Sequence, residues 1–256
     1  MSNKITIYDS VQDSIGFVQL VDSMGTDKTI VNAARVSFGV EKQTLDERDN
    51  KLIKYLVKHK HTSTLEHNII TFKFCVPMFV RSQHMRHRTW SYNEISRRYT
   101  SKDLKFYQPN KFRTQHKSNR QASNESKTIN PIVSPSFLDT YAPLDESMII
   151  WADYSLEYFN HLIDKGVCRE QARMILPQNL YTEYYGTVNL NNLFKFIHLR
   201  LHDGAQWEIQ QVAKACLQIA YDLWPVATQT FADSLPDESI SLHLSSLRSP
   251  SKTPLS

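Results

Sequence analysis

No apolar run in this 256-residue chain approaches the roughly 18 residues that a bilayer-spanning helix requires, so no membrane association is expected. The opening stretch MSNKITIYDSVQDS lacks the apolar core of a secretory signal. Cysteine is scarce: Cys75, Cys168 and Cys216 are odd in number, far apart, and none belongs to a CxxC pair. That usage argues against a disulfide framework and fits a reducing compartment, so a cytoplasmic protein is expected. No internal repeat occurs, and helical and strand patterns follow one another without βα alternation. An α+β fold, with mixed helices and an antiparallel-rich sheet, is the expectation. With 41% hydrophobic and 22% charged residues, the chain can bury a sizeable core. A single domain is expected over 1–232, followed by a Ser/Pro-rich tail, 233–256, read as disordered.

Charge is abundant but uneven. Arg81 to Arg120 carries eleven Lys/Arg against Glu94 and Asp103, a local balance of +9 in a chain whose net charge is +4. Trp90, Tyr92, Tyr99, Phe106 and Tyr107 interleave with these cations. Cations among aromatics suit anionic aromatic ligands, namely nucleotides, flavins or nucleic acid.

The periodicity predicts a helix over Asp27 to Phe38 with Asp27 as its cap, and another over Asp46 to Lys60. A strand is expected over Ile69 to Val76, after which Pro77 can occupy the first turn of a helix reaching towards Met85. Arg113 to Pro143, rich in Ser, Asn and Gln, reads as a long polar loop, about 113–145 at its widest. Helices follow over about Glu146 to Lys165, closed by Gly166, and over Cys168 to Leu176. Leu180 to Leu190 reads as a strand, with Asn189 capping a helix from Asn191 to Leu201. A last helix, Gln206 to Leu223, is expected to stop at Pro225.

The chemistry concentrates in Gln83-His-Met-Arg86-His87-Arg88-Thr-Trp-Ser91-Tyr-Asn93-Glu94-Ile-Ser96-Arg97-Arg98-Tyr99. Arginine offers a planar fork of donors for phosphate or for a carbonyl–imide edge, Ser and Asn add short contacts, and Glu94 is the one anion. Composition alone leaves a basic, solvent-facing helix–loop equally open. The pattern Arg86-His87-Arg88, seven residues, then Ser96 resembles the signature of the flavin-dependent thymidylate synthases, with Ser91, Asn93, Glu94, Arg98 and Tyr99 also in register. Further segments resemble that family in order: Asn32-Ala-Ala-Arg35-Val-Ser37, His61-Thr-Ser63-Thr-Leu-Glu66-His67, Arg169-Glu-Gln-Ala-Arg173-Met-Ile-Leu-Pro177 with Tyr181-Thr182, and Asn189 through Gln210. The likeness covers roughly residues 4 to 225.

The resemblance implies methylation of dUMP to dTMP with 5,10-methylenetetrahydrofolate as carbon donor. NAD(P)H, with NADPH as the expected reductant, supplies electrons through FAD, and tetrahydrofolate leaves. It also implies a homotetramer with flavin sites between subunits, and no nucleic-acid or membrane partner. By the same resemblance His61, Ser63, Arg86, His87, Arg88, Glu94, Asn189, Asn191 and Lys195 fall at flavin positions. Gln83, Arg86, Glu94, Ser96, Arg97, Arg98, Arg173 and Arg200 fall at the nucleotide. Arg200 matches the residue thought to assist ionisation of uracil N3, which is preorganised electrostatic catalysis. The chain departs from the family pattern at Lys195, at Asn191, at Gly204 and in the length of the Arg113–Pro143 stretch.

Two other functions compete on the residues. His59, His61, His67, His84 and His87 cluster in sequence, but His61-x5-His67 misses H-E-x-x-H spacing, so no metal site is expected. A nucleic-acid module would carry a recognised fingerprint, and none is present. The cysteines sit in strand and helix patterns where buried structural thiols are expected. Ser96 has no base–orienter pair evident in sequence and reads as a ligand contact rather than a nucleophile.

Overall fold

Patterning becomes structure wherever one face is apolar. The computed structural model describes residues 4–8, 14–100, 103–109, 111–134, 141–237, 240, 241 and 244. β1 (Lys4–Thr6) and β2 (Phe17–Met24) come first, then α1 (Asp27–Arg35), α2 (Glu47–Lys58), β3 (Ile69–Pro77), α3 (Met78–His84) and β4 (Ser91–Glu94). Four short strands follow: β5 (Phe112–Gln115), β6 (Ser123–Ile129), β7 (Ile132–Val133) and β8 (Ala142–Pro143). The remainder is α4 (Leu144–Asp164), α5 (Arg169–Ala172), β9 (Tyr181–Asn189), α6 (Leu190–Arg200), α7 (Trp207–Leu223) and α8 (Pro225–Ala232). A five-stranded sheet has the order β1-β2-β3-β9-β4, and β5-β6 and β7-β8 are separate antiparallel pairs. The fold is α+β, as expected. Among the described residues no helix is long and apolar enough to cross a membrane. The chain divides into two compact units that interleave along it. The first is Met1–Gln19, Phe72–Gly186 and His202–Val212; the second is Leu20–Thr71, Thr187–Leu201 and Ala213–Ser256.

In the first unit, β1 pairs with β2 antiparallel, Ile5 opposite Val18. Phe72, Phe74 and Val76 of β3 are fully buried, while Lys73 between them turns outward to pair with Glu183 at 2.6 Å. Each buried side chain of this size contributes about 1.5–3 kcal/mol. A Cβ at Gly186 on β9 would stand 2.9 Å from the Phe74 ring and 3.2 Å from Trp90, so the rings occupy the space that any other residue would need. Pro77 is the N-cap of α3 rather than its first residue.

The stretch read as a long polar loop carries β5 to β8. Its alternation was hidden because a two-stranded ribbon exposes most of both faces, so its residues stay polar. Side chains anchor it instead. Arg113 Nη2 reaches the buried Glu208 carboxylate at 2.6 Å and its guanidinium lies 5.0 Å from the Trp207 ring centroid. Tyr107 donates to the same Glu208 oxygen at 3.3 Å.

In the second unit, α2 is capped by Asp46, whose Oδ1 accepts from Arg48 N at 2.8 Å and Asp49 N at 3.0 Å. Asp49 is fully buried and takes Arg35 at 2.6 Å and Lys42 at 3.3 Å. Asn189 caps α6 as expected, accepting from Asn192 N at 2.9 Å. The N-cap of α1 is Thr26, not Asp27; Thr26 N–H donates to Thr29 Oγ1 at 3.0 Å. Asp27 instead accepts from Val226 N at 2.9 Å and Ala227 N at 3.1 Å, the first turn of α8. Pro225 ends α7 but also occupies the start of α8, a helix that the sequence reading left out. Trp224 is fully buried and donates Nε1–H to Gly25 O at 2.9 Å. In the tail, Leu235 and Leu244 are buried; residues 238, 239, 242, 243 and 245–256 lie outside the described residues.

Candidate active site

The turn that carries Arg86-His87-Arg88 is built from backbone bonds and braced from below. His87 N donates to His84 O at 3.0 Å and Trp90 N to His87 O at 3.4 Å. The Tyr92 hydroxyl donates to His84 O at 2.9 Å and lies 3.2 Å from His87 O. Beneath the turn, His84 is fully buried, with Nδ1 2.8 Å from the Tyr184 hydroxyl. Its ring meets Trp90 edge-on at 4.5 Å and Phe74 at 4.9 Å. Aromatic pairs of this kind add about 0.5–1.5 kcal/mol each beyond their burial. Arg86 and Arg88 are left exposed on this rigid base, with no side-chain ion pair or hydrogen bond among the described residues. Such unengaged guanidinium forks suit the pyrophosphate of a dinucleotide.

The second half of the motif is β4, a strand where the residues had allowed a helix–loop. Glu94 closes it. Arg81 holds Glu94 Oε2 through Nε at 2.9 Å and through Nη2, and the Thr182 hydroxyl donates to Oε1 at 2.7 Å. Gln83 donates its amide to the side-chain oxygen of Gln206, just before α7. Ser96 Oγ accepts from Arg98 N at 3.2 Å, a local turn contact that fits a binding rather than a nucleophilic serine. Arg97 is half-buried and donates to Tyr181 O at 3.2 Å; burial lowers its pKa from the ordinary guanidinium value. Arg98 is exposed and pairs with Glu170 of α5 at 3.5 Å. Arg173, exposed, follows one turn after Glu170, so Arg98 and Arg173 are gathered about one short helix.

The remaining residues singled out in sequence belong to the second unit. His61 is exposed at the head of a 3-10 turn, Thr62–Leu65, which carries the exposed Ser63. Its ring lies 5.6 Å from Tyr55, and that of His59 4.3 Å from the same ring. Asn191, buried on α6, donates to Glu66 Oε1 at 2.9 Å and ties α6 to the His61–His67 segment. Lys195 lies exposed on α6, 3.3 Å from Asn192 Oδ1, and Arg200 is half-buried as the last residue of that helix. Asn189 is occupied as the α6 cap. No group of three or more His, Cys, Asp or Glu with metal-binding geometry occurs among the described residues.

Arg81, Thr182 and Gln206 hold motif residues in place, a role that no sequence pattern marks. Their partners are 13, 88 and 123 positions away, beyond any local spacing rule.

The profile of the thymidylate synthase complementing protein family matches residues 19–226. A flavin-dependent thymidylate synthase from Thermus thermophilus is 44% identical over 223 residues, 86% of this chain and 77% of that protein. The chain belongs to the flavin-dependent thymidylate synthase family. Another member, from Thermotoga neapolitana, is 38% identical over 216 residues, 84% of this chain and 90% of its own. Among solved structures, a UMP/dUMP methylase, PolB from Streptomyces cacaoi, bound with 5-Br dUMP, is similar with a TM-score of 0.70 and 32% identity. That match covers 84% of this chain and 93% of the methylase. The Arg86–Tyr99 block on which the resemblance first rested lies inside the matched span of this flavin-dependent thymidylate synthase family member.

Proposed function

We propose that this chain methylates dUMP to dTMP, taking its carbon from 5,10-methylenetetrahydrofolate and its electrons from NAD(P)H by way of FAD, with release of tetrahydrofolate. Membership of the flavin-dependent family, together with two unengaged arginines on a braced turn, carries this reading. FAD, when bound, supplies the reducing equivalents that turn the transferred one-carbon unit into a methyl group. Arg86 and Arg88 would hold its phosphates, with His87 between them, and in the second unit His61, Ser63, Asn189, Asn191 and Lys195 fall at flavin positions by the family resemblance. The donor set fits an anionic dinucleotide: exposed forks for charge, amides and a hydroxyl for orientation.

On the nucleotide, Arg98 and Arg173 suit the phosphate, while Gln83, Ser96 and Glu94 suit the sugar and base edges. Arg97 is the weakest of these assignments, because its fork already donates to a backbone carbonyl. Arg200 would stabilise the uracil as its N3 ionises, making C5 the better nucleophile. We read the working unit as a homotetramer with flavin sites between subunits. The exposed aromatic stripe Trp151, Tyr154 and Tyr158 on α4 supports a subunit interface. Light scattering should give a mass four times that of the chain.

No thiol is required. Cys75 and Cys216 are buried, and burial pushes the Cys216 thiol well above its ordinary pKa; Cys168 is exposed at the head of α5. A thiol held protonated is a poor nucleophile. The variant with Cys75→Ala, Cys168→Ser and Cys216→Ala is expected to keep turnover within about tenfold of wild type. Complete loss, with flavin content and unfolding midpoint preserved, would return the chemistry to a thiol.

The deciding test is the absorbance spectrum of the purified protein after FAD addition and gel filtration. A retained flavin band that shifts when dUMP is added is the expected result. No retained flavin, together with steeply salt-dependent binding of DNA or RNA, would overturn the reading.

A further inference from the structure

We propose that Arg81 and Thr182 are positioning residues for Glu94, and that they leave its carboxylate one acceptor site for the nucleotide. A carboxylate offers about four lone-pair directions. Arg81 occupies two of them on Oε2, through Nε and Nη2, and Thr182 occupies one on Oε1. The remaining direction lies on Oε1, and the Glu94 side chain is 19% exposed, so it is not sealed from a ligand. Glu94 therefore meets its ligand as a single-point acceptor for one N–H or O–H. It is not a two-oxygen partner for a second arginine.

The three side chains come from α3, β4 and β9, so their arrangement is set by the fold before any ligand arrives. Ile95 N donates to Glu183 O at 2.9 Å and fixes β4 against β9, its neighbour in the sheet. Thr182 is buried, and its β-branched side chain is stiff about the Cα–Cβ bond, so the hydroxyl has little freedom to turn away. Arg81 also neutralises Glu94. Without that cation, an uncompensated carboxylate would stand in a site that must accept a phosphorylated nucleotide.

The proposal rests on reading Glu94 as a nucleotide contact, and the experiment separates the two. Full-length, FAD-loaded protein is titrated with dUMP by flavin absorbance, and kcat and KM are measured for wild type, Thr182→Val, Thr182→Ser, Arg81→Lys and Glu94→Ala. Valine keeps the shape of threonine and removes the donor. Thr182→Val is expected to weaken dUMP binding and raise KM about tenfold, with flavin content unchanged and kcat within about threefold. Thr182→Ser restores binding to within about twofold, which a purely structural role would not require. Should Thr182→Val fail to fold, Arg81→Lys decides, because it keeps the charge and loses the fork. Weakened dUMP binding at unchanged flavin content supports the proposal there, and wild-type binding overturns it. Wild-type dUMP binding by Thr182→Val, with Glu94→Ala impaired, overturns the positioning roles and leaves the site reading standing. If Glu94→Ala itself binds dUMP normally, the nucleotide contact at Glu94 falls, and the proposal with it.

Discussion

Arg200→Ala is expected to keep its flavin and lose methylation by a factor of about 100 to 1000 in kcat, the scale of a lost preorganised donor at a developing anion. Arg200 is the last residue of α6, a helix anchored by Leu193, Phe194, Phe196 and Ile197, all buried. Phe194 stacks on Phe231 at 4.2 Å, nearly parallel, which further fixes α6. An arginine on so well anchored a helix would need little reorganisation if charge developed on a bound uracil beside it. One competing role is electrostatic: a cation in the last turn of a helix gains about 0.3–1 kcal/mol from the helix dipole. Were that all, Arg200→Ala would shift the unfolding midpoint slightly and leave kcat within about threefold. Arg200→Lys discriminates further, since it keeps the charge near the helix end but not the planar fork. Single-turnover rates on flavin-loaded protein measure the effect directly. Near-wild-type turnover by Arg200→Ala would remove it from the reaction.

What was legible in the sequence divides along a physical line. Elements with one buried face were readable: α2 through Ile53 and Leu56, β3 through Phe72 and Phe74, and α6 with its Asn189 cap. The Arg86–Tyr99 block was readable because its cations and hydroxyls are crowded into a few positions. β4 was not, since Ser91 to Glu94 is polar and pairs at a sheet edge, where no hydrophobic alternation is needed. The hairpin of β5 and β6 was missed for the same reason; its anchor is the Arg113–Glu208 pair, 95 residues apart. α8 was missed because Pro225 both terminates one helix and opens the next. The acceptor geometry of Glu94 depends on Arg81 and Thr182, which only the folded chain brings together.

Asp27 shows how a local rule can name the right residue and the wrong partner, and it predicts a large stability effect. An aspartate at the start of a helix is ordinarily worth about 0.5–1 kcal/mol through capping and the dipole. Here Asp27 begins α1 yet spends its carboxylate on α8, accepting from Val226 N and Ala227 N, about 200 residues away. The acid is buried, 5% exposed, and Ala227 is fully buried. Asp27→Ala removes two charge-assisted bonds and leaves the buried Ala227 N–H without its acceptor. The expected loss is about 3 kcal/mol, since bonds to charged groups contribute about 1.5–3 kcal/mol and an orphaned buried donor costs about 1–3 kcal/mol. Asp27→Asn, which retains one acceptor oxygen, is expected to lose roughly half of that. Urea unfolding of both variants, at equal flavin content because bound flavin adds its own stabilisation, measures the difference. A loss below about 1 kcal/mol for Asp27→Ala would mean that Asp27 serves only the start of α1. A loss near 3 kcal/mol would establish the long-range bridge as the tie holding α8 to the start of α1 within the second unit.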